Sequence, residues 1–96
     1  MEINDTEKEA LTWAYLFMRK LVEECKTISE LLANEGLELV WGDEPDAVGE
    51  SYGIGFDGCV FTVNQMDGEL DLECEFEISA GEDRRPQMIN ITDLGL

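Results

Sequence analysis

Five carboxylates occupy every second position between residues 69 and 77. The run 70–78 reads Leu-Asp-Leu-Glu-Cys-Glu-Phe-Glu-Ile, so apolar and acidic residues alternate without exception. Because successive side chains of a β-strand point to opposite faces of a sheet, this pattern predicts a strand with one buried and one acidic face. Carboxylates in this arrangement could ligate cations, transfer protons or attract a basic partner. The acidic set is Glu69, Asp71, Glu73, Glu75 and Glu77.

The charge of the whole chain favours the last of these uses. The sequence holds 23 acidic and 6 basic residues, a formal net charge of −17. Residues 1–36 contain eight acids and four bases, a net charge of −4, whereas residues 37–96 contain fifteen acids and two bases, a net charge of −13. A surface of this sign repels nucleic acids and anionic membranes and attracts basic proteins. We therefore expect no direct binding to nucleic acid.

Neighbouring carboxylates of this strand are expected to lie about 6.6 to 6.8 Å apart. At that spacing each pair repels by roughly 0.6 kcal/mol even in bulk water, and no basic residue lies between Glu38 and Glu77 to relieve the repulsion. Two structural explanations compete with a functional one, namely acids that keep an edge strand from pairing with other sheets and adaptation to high salt. Salt adaptation would acidify the helical part as densely, and edge protection needs only one or two charges.

The sequence offers little for catalysis or for binding a metal or cofactor. Histidine is absent, which removes the usual general base and metal-binding imidazole. Paired catalytic carboxylates lie in clefts, and neither acidic stretch, 43–46 nor 67–71, follows the EF-hand spacing. The glycines at 53, 55 and 58 match the dinucleotide fingerprint in letters, but they fall in a predicted hairpin with no helix after it. We expect no enzyme, no cofactor and no metal site.

Three cysteines without paired spacing argue against a disulfide framework and for a reducing compartment. Cys59 and Cys74 are expected as small buried residues on neighbouring strands. The start Met-Glu-Ile-Asn-Asp is acidic, unlike a secretory signal, and the apolar run 10–18 is too short to span a bilayer. These features predict a cytoplasmic protein, in the host cytoplasm if a phage encodes it, with no membrane association.

A helix is predicted over residues 6–35. Thr6 with Glu9 forms a capping-box pattern at its start, and Thr27 with Glu30 forms a second one inside it. The helix is therefore either continuous or broken near Lys26. Apolar residues recur along it at steps of three and four, at Leu11, Ala14, Met18, Leu21, Cys25, Ile28 and Leu32.

After Gly36 the apolar period changes to two, which predicts strands. In the first of them Leu37, Leu39 and Trp41 are expected on one face. The dipeptides Asp57-Gly58 and Asp67-Gly68 are strong hairpin signals between strand patterns. We expect an α+β fold of one domain, with a helix on one face of a four- to five-stranded antiparallel meander. The predicted strands cover residues 37–42, 51–56, 59–66, 69–78 and 87–92.

The two-residue turns also predict the register of the meander. The expected pairs of the first hairpin are Phe56 with Cys59, Ile54 with Phe61 and Tyr52 with Val63. Those of the second hairpin are Val63 with Leu72, Phe61 with Cys74 and Cys59 with Phe76. Every one of these pairs is apolar, so turn chemistry and burial pattern agree. On the opposite face the expected pairs are Val60 with Glu75, Thr62 with Glu73 and Asn64 with Asp71.

These features favour a small inhibitor that imitates the charge of a nucleic-acid backbone and blocks the basic groove of a nucleic-acid-binding protein or nuclease. In size and charge alone, the chain resembles small acidic proteins that phages encode against CRISPR effectors, restriction enzymes and other nucleases. That resemblance implies no specific residues. The expected contact residues are the strand acids Glu69, Asp71, Glu73, Glu75 and Glu77, the loop acids Asp43, Glu44, Asp46 and Glu50, and an apolar floor of Val60, Thr62 and Met66.

Two other functions remain open from the sequence. An immunity or antitoxin protein that plugs a basic toxin would also be small and acidic. A dimeric chaperone or adaptor would use the wide apolar surface of the predicted helix, so the chain is expected as a monomer or as a homodimer through this helix. The residues that widen this surface are Trp13, Tyr15, Leu16 and Phe17.

Overall fold

A computed structural model describes residues 4–80 and 85–96 of the chain. These residues form two α-helices, a five-stranded antiparallel sheet and a final 3-10 helix. The strands lie in the sheet in the order in which they occur in the sequence, so the sheet is a meander. The long N-terminal helix packs on one face of this sheet. The predicted α+β fold class is confirmed.

Helix α1 (Asp5–Glu24) begins two residues earlier than the capping-box pattern at Thr6 would place it. Asn4 is its N-cap, because the Asn4 side-chain oxygen accepts a hydrogen bond from the Glu7 N–H at 2.8 Å. The Asn4 amide nitrogen also donates to the Glu7 carboxylate at 2.7 Å. This reciprocal pair satisfies a backbone donor that the first helical turn cannot satisfy itself.

The helix predicted over 6–35 is interrupted after α1, and the short helix α2 (Ile28–Leu32) follows. Thr27 caps α2 as its sequence pattern predicts, accepting a hydrogen bond from a backbone N–H of the first turn at 3.1 Å. The side chain of Gln65 occupies the break. Its Oε1 accepts from the Ile28 N–H at 2.9 Å, and its Nε2 donates to the Lys26 carbonyl at 2.9 Å. Backbone groups that a continuous helix would satisfy internally are therefore satisfied by the sheet.

The second and third strands have the same bounds as the predicted ones. The first is one residue shorter at each end, and the fourth is two residues longer. The fifth begins and ends two residues earlier than predicted. It ends at Asn90 because the chain then enters the 3-10 helix (Ile91–Leu94), which the Asn90 side chain caps. The strands are β1 (Glu38–Trp41), β2 (Ser51–Phe56), β3 (Cys59–Met66), β4 (Glu69–Ala80) and β5 (Arg85–Asn90).

The core lies between α1 and the apolar face of the sheet, and an aromatic cluster forms its centre. The rings of Phe61 and Phe76 stack with centroids 4.8 Å apart. The ring of Tyr15 on α1 lies against both, with its centroid 6.4 Å from that of Phe61 and 6.1 Å from that of Phe76. Burial of these three rings, together with Met18 beside them in the core, fixes α1 on this face.

The first hairpin has the predicted register, with all three expected pairs present. The second hairpin agrees only near its turn, where Val63 faces Leu72 as predicted and the outer pair of Asn64 with Asp71 is also present. Beyond that point the register shifts by two residues. Phe61 faces Phe76 rather than Cys74, and the expected outer pairs beyond Asn64 are lost with it.

An irregularity in β4 causes this shift, because four residues of β4 span the distance that two residues of β3 cover between Val63 and Phe61. Since side chains alternate with a period of two, an insertion of two residues keeps every later apolar residue on the apolar face. The agreement of apolar pairs could therefore not detect the bulge. Its visible effect is on Cys74, which is exposed and not buried as predicted.

Candidate protein-binding surface

The carboxylates of β4 lie on the outer face, which we define as the sheet face opposite α1. Glu77 pairs with Val60 of β3 and Met88 of β5, so Val60 is opposite Glu77 and not opposite Glu75 as predicted. The bulge separates Asp71 from Glu75. The five carboxylates, predicted to be evenly spaced, therefore form two shorter acidic segments. Glu77 is half-buried, and the exposed members are Glu69, Asp71, Glu73 and Glu75.

Glu73 is held at the bulge by a polar contact with β3. Asn64 Nδ2 donates a hydrogen bond to Glu73 Oε2 at 3.2 Å. The Asn64 side-chain oxygen Oδ1 accepts a hydrogen bond from the Ser51 hydroxyl, so both the nitrogen and the oxygen of the side-chain amide are engaged. A neutral amide donor orients this carboxylate without cancelling its charge. Glu73 therefore remains a negative group at the centre of the β4 acids.

The three residues expected to form an apolar floor, Val60, Thr62 and Met66, lie on β3, the strand next to β4. Val60 and Thr62 are half-buried, and Met66 is 44% exposed next to the Asp67-Gly68 turn. Apolar side chains of this kind favour contact with a protein, because burying them strengthens binding beyond the charge attraction.

Sequence reasoning missed an exposed aromatic residue of the outer face, Trp41. It was expected beside Leu39 on the apolar face, but a bulge in β1 between these two residues turns the indole to the outer face, opposite Gly53. A Cβ atom on Gly53 would lie only 2.0 Å from Trp41 Nε1, so the indole occupies the space that a side chain would fill. Trp41 stays 46% exposed. The alternating glycines of β2 were the signal, since a strand without side chains on one face leaves room for a neighbouring aromatic.

The loop between β1 and β2 carries the other acids expected at the site. Asp43, Glu44 and Glu50 are exposed, as is Asp46. The Asp46 carboxylate, however, is bonded to α2, accepting from the Ser29 N–H at 2.8 Å and the Ser29 hydroxyl at 2.7 Å. The structure thus gives Asp46 a structural task that the sequence did not predict.

Hydrogen bonds from Ser29, first through its side chain and then through its backbone, lower the pKa of Asp46 below its ordinary value. A carboxyl with a lowered pKa in the folded state stabilises the fold above its unfolded pKa, and this contribution is lost as the pH falls through the lowered folded value. We expect Asp46→Asn to lower the melting temperature at pH 7 by a few degrees. The difference from the wild type should shrink as the pH falls below about 4.

Asparagine removes the charge without adding backbone strain. Asp46 has a φ of 71°, and asparagine, like aspartate, tolerates left-handed backbone. The matched control is Asp43→Asn, which removes the same charge from the same exposed loop. Thermal unfolding followed by circular dichroism between pH 3 and 7 measures both variants. A loss of stability shared equally by the two variants would contradict the assigned role of Asp46.

The described side chains form no cluster suited to a metal ion, and the thiol of Cys59 is buried. Within residues 4–80 and 85–96, no group of three or more His, Cys, Asp or Glu side chains could hold a metal ion. Burial raises the pKa of the Cys59 thiol to about 11, which keeps it protonated at neutral pH. The outer face is characterised by negative charge and exposed apolar side chains.

Comparisons with protein-family models, with curated protein sequences and with solved structures found no match to this chain. Among the described residues, neither helix combines the length and the apolar character that crossing a membrane requires. The class that the fold and surface define is an acidic α+β domain with a charged sheet face.

Proposed function

We propose that the chain is an inhibitor that imitates the charge of a nucleic-acid backbone and occupies the basic groove of a nucleic-acid-binding protein or nuclease. The observation that carries the proposal is the outer face, where exposed carboxylates of β4 lie beside side chains of β3 and share the face with the exposed Trp41 of β1. The setting that fits is a phage protein acting in the host cytoplasm against a CRISPR effector, a restriction enzyme or another nuclease. Its partner is a protein, and nucleic acid competes with it.

The distribution of charge supports binding through the outer face. Lys8, Arg19 and Lys20 lie on α1, on the other side of the sheet, and no basic residue occurs in β2 or β3 or in β4 up to Glu77. Over strands β1 to β4 the outer face therefore has a field of one sign, and Arg85 is the one basic residue of the described sheet, at the start of β5. Such a field steers a basic partner over about one Debye length, roughly 8 Å at physiological ionic strength.

Exposed apolar side chains distinguish this surface from one that is acidic only for protection or salt tolerance. Trp41 and Met66 are both nearly half exposed on the outer face, and Met88 of β5 is 53% exposed. Tryptophan is among the residues that contribute most to binding energy when a partner covers them. Charge attraction would bring the partner to the face, and these side chains would slow its dissociation.

The function is tested with three basic enzymes, an RNA-guided nuclease, a restriction endonuclease and a nuclease toxin, each assayed for DNA cleavage with and without the protein. We expect inhibition of at least one of them. The inhibition should weaken steeply between about 50 and 200 mM salt, and added uncleavable duplex DNA should relieve it. Full cleavage by all three enzymes, or inhibition of constant strength across this salt range, would contradict the proposal.

A pair of charge variants assigns the inhibition to the outer face. Glu73→Gln with Glu75→Gln removes two charges from β4, and Glu9→Gln with Glu23→Gln removes two from α1, so both reduce the same net charge of −17 by two. The β4 variant should lose most of the inhibition, because the partner's cations would face neutral amides. It should also melt at a higher temperature in low salt, since repulsion between the strand acids is relieved. The α1 variant should inhibit like the wild type, and equal losses in both would refute the assignment.

A second function is favoured by the aromatic side of α1. Trp13 is 57% exposed, and it stacks on Phe17 at 5.4 Å and lies 6.0 Å from Phe56. A dimeric chaperone or adaptor would cover this patch with a second copy. The net charge of −17 on each copy opposes such a dimer. Sedimentation at physiological salt separates these two functions, because a monomer favours the inhibitor and a dimer favours the chaperone or adaptor.

The nuclease assay tests the immunity function. Inhibition limited to the nuclease toxin would favour an immunity protein.

A further inference from the structure

One edge of β4 is open over half of its length. β5 pairs with residues 75–80 of β4 only. Residues 69–74 have β3 on one side, and on the other side no strand of the described chain is paired with them. An unpaired edge presents backbone N–H and C=O groups that a second extended chain can bind.

The hairpin register identifies the residues that direct their backbone groups to this edge. Glu69 closes the two-residue turn with Met66, and the next alternate position of β4 is Asp71. In an antiparallel pair, alternate residues exchange both hydrogen bonds with the neighbouring strand, so Glu69 and Asp71 are turned toward β3. Leu70 and Leu72 therefore present their N–H and C=O groups to the open edge, while their side chains are half-buried.

The carboxylates beside the edge determine which chain can occupy it. Glu69, Asp71 and Glu73 are exposed on the outer face along this stretch. A second copy of the protein would bring another molecule of net charge −17 against them, and like charges on adjoining strands destabilise pairing. A strand with lysine or arginine at alternate positions would instead place cations opposite these carboxylates. At about 3.3 Å per residue, the stretch accommodates a strand of about five residues before the bulge is passed.

We propose that an extended basic segment of the partner protein adds to the sheet as a strand along residues 69–73 of β4. The inference rests on the proposed function and names the part of the partner that the outer face would bind. Hydrogen bonds to the backbone of Leu70 and Leu72 provide affinity that does not depend on side-chain identity. Charge-assisted contacts with Asp71 and Glu73 select lysine or arginine at every second position.

Two synthetic peptides test this inference on the wild-type protein. The first is a nine-residue peptide in which arginine alternates with valine, and the second has the same sequence with its four central backbone amides N-methylated. Both peptides carry the same charge, but the methylated peptide lacks the backbone N–H donors that pairing with β4 requires. Fluorescence anisotropy of the labelled peptides measures affinity, and amide hydrogen exchange measures protection of Leu70 and Leu72.

We expect the first peptide to bind, to slow exchange at both leucine amides, and to bind at least about tenfold more tightly than the methylated peptide. Equal, salt-sensitive binding of both peptides, without protection of the leucine amides, would overturn strand addition and leave the proposed charge mimicry intact. Failure of both peptides to bind would show that the acids only protect the edge from pairing, which also overturns the inference. The nuclease assay then decides the proposed function separately.

Discussion

Replacement of Phe76 by asparagine is expected to reduce the free energy of unfolding by about 4 to 5 kcal/mol. Phe76 is fully buried, with its ring 4.8 Å from Phe61 and 6.1 Å from Tyr15. The substitution leaves a cavity between the sheet and α1 and places an unpaired amide there. Because small domains are stable by only about 5 to 15 kcal/mol, the variant should lose a large part of its stability. Urea unfolding followed by circular dichroism measures the loss.

The matched control is Cys74→Asn, two residues earlier on the same strand. The alternation of residues 70–78 predicts that both positions are buried, whereas the bulge leaves Cys74 exposed. An exposed position tolerates the same substituent at a cost below about 1 kcal/mol. If the two variants are destabilised equally, the bulge is absent in solution and the simple register of the sequence applies.

Gln65→Met is the second substitution with a large expected effect, a loss of about 2 to 4 kcal/mol. Gln65 is only 2% exposed and joins three parts of the fold. Its Nε2 donates to the carbonyls of Lys26 at 2.9 Å and Met66 at 2.8 Å, and its Oε1 accepts from the Ile28 N–H. Methionine fills a similar volume but leaves the buried Ile28 N–H and the two partly buried carbonyls without these partners.

Amide hydrogen exchange shows where the Gln65→Met variant loses stability, and we expect the amides of α2 to exchange first. The control is Met66→Gln, the reverse change at the neighbouring exposed position. It should alter the free energy of unfolding by less than about 0.5 kcal/mol. Unchanged protection of α2 in the Gln65→Met variant would contradict the role assigned to this side chain.

The first hairpin was predictable because two independent local signals specify it and no bulge interrupts it. The β2–β3 hairpin combines the Asp57-Gly58 turn with alternating apolar residues, and its bounds and register agree with the prediction. The break near Lys26 was open from the sequence, because Thr27 with Glu30 signals a new helix start while the apolar period continues through it. Only the contact with Gln65, thirty-nine residues away in the chain, decides between the two alternatives.

The candidate surface was predictable to a lesser extent. Because side chains alternate along β4, burial of Phe76 on the apolar face places the β4 acids on the outer face. The role of Asp46 was not predictable, because its partner Ser29 lies seventeen residues away on another element. Trp41 also escaped prediction, because the residues of the four-residue strand β1 carry no sign of the bulge and the signal lies in the glycines of the neighbouring strand β2.

By itself the sequence determined the sign of the charge, its concentration after residue 36, the order of the elements and the faces of β2 and β3. These follow from composition, from periods of two and of about 3.6, and from turns that need positive φ, all of which act over a few residues. Only the tertiary structure decided the bulge in β4, the exposure of Cys74, the indole over Gly53 and the open edge along 69–74. The reason is that each depends on which distant side chains pack together, and a shift of two residues leaves the local pattern unchanged.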